Sequence, residues 1–235
     1  MATYLEICQK VARDSGTFPE GTPTAIAGQE ARTNKVIAYV AEAWRSIQNE
    51  RSGWLWMEAE FSGATIAGTA RYTAASWSLT RWADWIIDSP HHDEPLITSI
   101  YPVASGQSQE GPLPFLPYRQ WRRIYAMGTH DQNQPIHYSI SPAGEFCLGP
   151  TPDAAYQIGG LYRKSPQVLA SDGDIPEMPA RFHDLIAFRA SILLHKHDIA
   201  PFELDGQIEE HNILINDLYR DQLPTLGTHR TPSLA

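Results

Sequence analysis

Val36-Ile37-Ala38-Tyr39-Val40-Ala41-Glu42-Ala43-Trp44-Arg45-Ser46-Ile47-Gln48 gives way to Trp54-Leu55-Trp56-Met57-Glu58-Ala59-Glu60-Phe61-Ser62, and the change of period between them decides the fold. In the first stretch Val36, Ile37, Val40, Trp44 and Ile47 recur every three to four residues, with Gln29, Arg32, Asn34, Glu42 and Arg45 elsewhere, which predicts an amphipathic helix from Gly28 to about Asn49. Ser52-Gly53 ends it. In the second stretch Glu58, Glu60 and Ser62 alternate with Ala59 and Phe61, the period of a half-buried strand.

Working outward, Leu5, Ile7, Cys8 and Val11 predict a short helix over Thr3 to Asp14, closed by Ser15-Gly16, with a Pro/Gly loop to Ala27. Beyond the first strand, Ala67-Gly68-Thr69 turns the chain towards Tyr72 as a hairpin would. Trp85-Ile86-Ile87 and Leu96 to Tyr101 read as strands, and Leu116 to Tyr125 as a brief helix. Ile136, Tyr138 and Ile140, the turn Ser141-Pro142-Ala143-Gly144, and Phe146 and Leu148 spell a second hairpin. Tyr156, Ile158, Leu161 and Tyr162 predict a further strand with Gly159-Gly160 as a bulge. After the turn Asp172 to Glu177, with Pro179 at a first helical position, Phe182, Leu185, Ile186, Ile192 and Leu193 mark one helix, ended by His195-Lys196-His197. Leu204, Ile208, Ile215 and Leu218 mark another, from Phe202 to Leu223. The expected class is α+β: a helical bundle built from N- and C-terminal helix pairs with a central antiparallel β domain. The parts are residues 1–56, 57–175, 176–223 and an extended tail, 224–235.

At 235 residues the chain can bury a sizeable core without disulfides or metals. Cys8 and Cys147 lie far apart, so neither CxxC chemistry nor a disulfide framework is expected. No apolar run approaches the roughly 18 residues of a membrane span, and the N-terminus lacks a signal-peptide pattern, so a soluble protein made in a cytoplasm is expected, with no membrane partner. The formal net charge is −9, and Asp198 to Asp221 carries seven acids against Arg220 alone, the opposite of a tight phosphate binder. Arg122-Arg123 between Trp121 and Tyr125 reads as a surface helix with snorkelling arginines.

Candidate chemistry is sparse. Gly106 to Gly111 almost spells a nucleophile elbow around Ser108, but Glu110 stands where the second glycine belongs. His91-His92-Asp93-Glu94 are consecutive and splay, and no second cluster has zinc-like spacing. Asp172, Asp174 and Glu177 lack calcium-loop spacing, and His195 and His197 do not share a helix face. Glu58 and Glu60 share a strand face as a glycosidase pair could, a pattern that exposed carboxylates on half-buried strands show routinely. No Walker A or dinucleotide fingerprint occurs, so neither an enzyme nor a cofactor is expected. Trp77, Trp82, Trp85 and Tyr101 leave room for one alternative, a carbohydrate- or receptor-binding tail or baseplate component that stacks sugars.

Taken in order, Tyr4-Leu5-Glu6-Ile7, Val40 to Gln48 with Trp54-Leu55-Trp56, and Phe61 through Ala67-Gly68-Thr69 to Tyr72 resemble the head-to-tail adaptors of tailed bacteriophages. Pro135 to Pro152, Tyr162-Arg163-Lys164 and Leu185 to Asp198 with its acidic closing helix extend the resemblance, which is to the tail tubular protein A-like adaptors. The resemblance implies a virion protein at the head-tail junction, made in the host bacterial cytoplasm. It implies a homo-oligomeric ring of twelve copies between the portal protein and a downstream tail or neck protein, with double-stranded DNA passing through. In such a channel Glu203, Glu209, Glu210 and Asp217 are the expected DNA-repelling face, and Pro224, Leu226, Pro232 and Leu234 the expected partner-docking tail.

Overall fold

The computed structural model describes residues 1–15, 22–87, 98–198 and 204–223. They form five α-helices and eight strands in two compact units. The helical unit comprises Met1–Met57 and Pro166–Ala235; the β unit is Glu58–Ser165.

In the helical unit α1, Tyr4–Asp14, begins at a capping box. Thr3 Oγ1 accepts from the Glu6 amide at 3.2 Å, and Glu6 Oε2 accepts from the Thr3 amide at 2.8 Å, satisfying two donors that a helix start leaves orphaned. Helix α2, Ala31–Glu50, buries Val36, Val40, Ala43, Trp44 and Ile47. Trp54 is wholly buried just past its end, and its indole N–H donates to the Ile47 carbonyl at 3.1 Å, one of the acceptors the helix terminus leaves open.

Helix α4, His183–Asp198, packs against α1, α2 and α5, so its apolar surface is wider than a stripe: Leu185, Ile186, Ala187, Ala190 and Leu194 are buried. Ile192 and Leu193, read as part of a narrow stripe, are only half-buried. His195, in the run that ends this helix, is buried and donates Nδ1–H to the Ser191 carbonyl at 2.7 Å. In α5, Leu204–Gln222, Ile215 and Leu218 are buried while Ile208 is exposed, so the C-terminal half carries the packing. Glu50 ties three helices together, accepting from Arg189 on α4 and from the Tyr219 hydroxyl on α5. Burial opposes its charge, but these two hydrogen bonds hold its carboxyl below the ordinary range.

The return to this unit comes at residue 166, ahead of the boundary at 175 expected from sequence. Buried Gln48 donates to the Gln167 carbonyl at 3.0 Å and accepts from the Gln167 amide at 2.6 Å, and Leu169 and Met178 join the helical core. Polar Gln48 thus fixes the start of the returning segment.

The β unit contains β1 (Glu58–Ala64), β2 (Arg71–Tyr72), β3 (Trp82–Ile86), β4 (Ser99–Pro102), β5 (Gly111–Pro112), β6 (His137–Ile140), β7 (Phe146–Gly149) and β8 (Tyr156–Lys164). One sheet has the order β1-β8-β4-β5, with β3 also on β8; the other is β2-β7-β6. The β6–β7 hairpin forms as the alternation predicts, Tyr138 opposite Leu148. The expected β1–β2 hairpin does not. Gly68 makes the turn at φ +80°, but β1 pairs with the distant β8 and β2 with β7, because long-range burial of Phe61 and Tyr72 outweighs local turn chemistry. The predicted bulge at Gly159-Gly160 is also absent: the register runs unbroken from Glu58↔Arg163 to Ala64↔Gln157. A Cβ on Gly160 would lie 2.7 Å from the Phe61 ring and one on Gly159 3.1 Å from Ser99 Oγ, so the pair lets neighbours close over a flat strand. The shift lies instead between Trp82 and Asp84, where β3 meets β8.

Both sheets share one aromatic core. Phe61 and Trp85 meet Phe146 edge-on at 5.9 and 5.4 Å, and Tyr138 stacks on Phe146 at 4.8 Å. The helix α3, Tyr118–Trp121, runs on into a π-helical turn, Arg122–Ala126, and covers the far face of the three-stranded sheet. There Tyr125 OH meets His137 Nδ1 at 2.9 Å, its ring lies over Gly149, and Arg71 sits 5.6 Å from the centre of the Trp121 ring.

Replacing Gln48 with Ala would strip partners from both backbone groups of Gln167, and chemical unfolding is expected to report a loss of about 1–3 kcal/mol. Burial pushes the Cys8 thiol up to about 12 and the Cys147 thiol up to about 11. Ellman's reagent at pH 8 is therefore expected to label Cys147 on the order of a hundredfold, and Cys8 on the order of a thousandfold, more slowly than a free thiol until denaturant is added.

Candidate functional site

Of the residues expected to line a channel, Glu209, Glu210 and Asp217 stand exposed on α5, while Glu203 lies outside the described residues. Positions 209, 210, 213 and 217 fall on one helical face, opposite buried Ile215 and Leu218. Ile213, 56 % exposed, stands between the acids, and Asp217 meets Arg220 at 3.5 Å. Pro224, Leu226, Pro232 and Leu234 lie outside the described residues, as do His91, His92, Asp93 and Glu94.

Several of the described residues weighed for catalysis make structural contacts. Ser108 Oγ donates to the Ser105 carbonyl at 3.4 Å. Asp174 accepts from the Ala170 and Ser171 amides, which hold its carboxyl low, and Asp172 accepts from the Ile26 amide; together they staple a turn. Glu58 faces Arg163 across the β1–β8 ladder; burial raises its carboxyl and Arg163 partly offsets this. Glu60, two residues along on the same face, lines a cleft. Among the described residues no three His, Cys, Asp or Glu side chains are grouped to hold a metal ion, and no helix is long and apolar enough to cross a membrane.

The tryptophans read as sugar platforms belong mainly to the core. Trp77 stacks on Phe61 at 5.3 Å and Tyr72 at 5.1 Å, with its N–H on the Ala64 carbonyl. Trp85 is buried and donates to the Gly144 carbonyl at 2.8 Å.

Two surfaces of the β unit remain open. On the five-stranded sheet, the face turned away from the aromatic core holds a cleft of about 460 Å³ lined by Glu60, Ser62, Tyr101 and Glu110 around Gly159. Glu110 accepts from Ser99 Oγ at 2.6 Å and from Gln107 Nε2 at 3.2 Å, and these bonds hold its carboxyl below the ordinary range. On the opposite side, over the three-stranded sheet, Arg119, Arg122 and Arg123 point to solvent beside Ile124 and Met127, 45 % and 63 % exposed. Sequence reading found only the Arg122-Arg123 doublet. The spacing of Arg119, Arg122 and Arg123 places all three along one helical turn, and that was the available signal. Glu110 gave none, because only the β4–β5 pairing brings it to Ser99.

Among the described residues, the open surfaces of the β unit present charged and apolar side chains to solvent. No curated protein matches the chain. The family model described as "SU10 adaptor protein" matches residues 2–221, through both units. The chain thus belongs to the SU10 adaptor protein family, a family of bacteriophage head-to-tail adaptors.

Proposed function

We propose that this chain forms a closed ring between the portal and the next tail or neck protein and lets double-stranded DNA pass. The observation that carries this reading is the family match over residues 2–221. Physical logic supports it: a ring requires contacts between unlike surfaces, and the exposed isoleucines and charged patches on both units are of that kind. Of the four aromatics that motivate the sugar-binding alternative, Trp77, Trp82 and Trp85 pack in or against the core, which leaves Tyr101 in the open cleft. In the ring the α5 stripe of Glu209, Glu210 and Asp217, with Glu203, faces the channel, where carboxylates repel phosphate and Ile213 offers it no hydrogen bond. The tail 224–235 orders on a neighbouring protein.

Antibody labelling of purified virions is expected to place the chain at the capsid vertex; label at the distal tail tip would overturn the adaptor reading. A chain ending at Leu223 should lose most of its attachment, and unchanged incorporation would remove the role of the tail. Changing Glu209, Glu210 and Asp217 together to Lys should leave assembly intact and slow DNA ejection several-fold by adding phosphate contacts, more so at low salt. Unaltered ejection would put that face outside the channel.

A further inference from the structure

Building on the ring reading, we propose that the two open surfaces of the β unit are the two halves of one subunit contact: the Arg119–Met127 surface of one copy docks in the Glu60–Glu110 cleft of the next. The layers of the β unit set the geometry. Tyr118, Trp121 and Tyr125 seat their helix on the face of the three-stranded sheet remote from the shared core, and the cleft lies on the face of the five-stranded sheet remote from that core. The surfaces therefore point away from each other. A twofold dimer joins like to like, whereas opposed, unlike patches join head to tail, the geometry that closes rings.

Charge identifies the occupant. Among the described residues Arg119, Arg122 and Arg123 have no carboxylate partner, and Glu60 has no cationic one. Glu110 is held ionised by neutral donors only. Each surface is thus short of the charge that the other supplies. An acidic cleft rejects nucleic acid, and a guanidinium fits it, with two carboxylates to accept its planar fork and the Tyr101 ring to stack on. Gly159 opens the space, since no side chain rises from the centre of the floor. Ile124 and Met127, costly to leave in water, supply an apolar centre that the arginines rim.

The test uses assembled virions carrying a photo-crosslinking benzoylphenylalanine in place of Arg123. Light is expected to yield a dimer of this chain whose adduct maps to residues 60–62 or 99–110. An adduct to the portal, to another protein or to DNA, or no dimer adduct at all, would overturn the proposal. In a second arm, Arg122→Glu with Arg123→Glu should cut the yield of joined particles on the order of tenfold, and adding Glu60→Lys should restore most of it. These positions are exposed or rim the cleft, so unchanged thermal unfolding of each purified variant would confirm that folding is intact; failure of rescue would also overturn the proposal. If the chain is absent from the vertex, the adaptor reading itself fails; if it is present there and crosslinks elsewhere, only this contact fails.

Discussion

The antiparallel pairing of β1 with β8 is the constraint on which the rest of the molecule depends. Glu58 stands opposite Arg163, so the point where the chain leaves its helical unit and the point where it returns are neighbours across one ladder. A hundred-residue excursion is thereby closed by a single pairing, and the helices on either side of it build one core. Strand β8 also carries β3 and β4, which makes it the only strand among those described with three partners. Its flatness through Gly159 and Gly160 matters for that reason. A side chain on Gly160 would push Phe61 out of the aromatic core that joins the sheets.

Local periodicity made some of this legible and long-range pairing hid the rest. Helices α1 and α2 could be read because their apolar stripes and the stops Ser15-Gly16 and Ser52-Gly53 lie within a few residues of one another. The β6–β7 hairpin could be read because its turn and alternation agree. The fate of β1 could not, since the partner of Phe61 lies at Gly160 and the turn at Gly68 gives equally good local grounds for a hairpin. Gln48 shows the same limit: a glutamine on an otherwise apolar helix face carries no mark that it will hold Gln167. The tryptophans were misleading in the opposite sense, because aromatic side chains that suit sugar stacking suit a sheet-to-sheet core equally well.

The candidate surfaces were legible as composition and not as geometry. An acidic C-terminal helix is plain from sequence, and α5 does expose Glu209, Glu210 and Asp217 on one face. That Ile213 stands between them follows only from helical phase. The arginines of α3 and its π-helical turn draw meaning from the sheet beneath them, where Trp121 and Tyr125 are used for packing and leave the charged side chains to solvent. A candidate surface of this kind is defined by what lies beneath it. Motif reading, tuned to convergent catalytic groups, passes over it.

The two thiols bear on how the particle survives outside a cell. Cys8 is packed inside the helical core and Cys147 beneath the α3 layer, each held in the protonated form that oxidants attack slowly. Both units keep their cysteine thiols where peroxide and oxygen reach them least, and neither thiol is drawn into a disulfide.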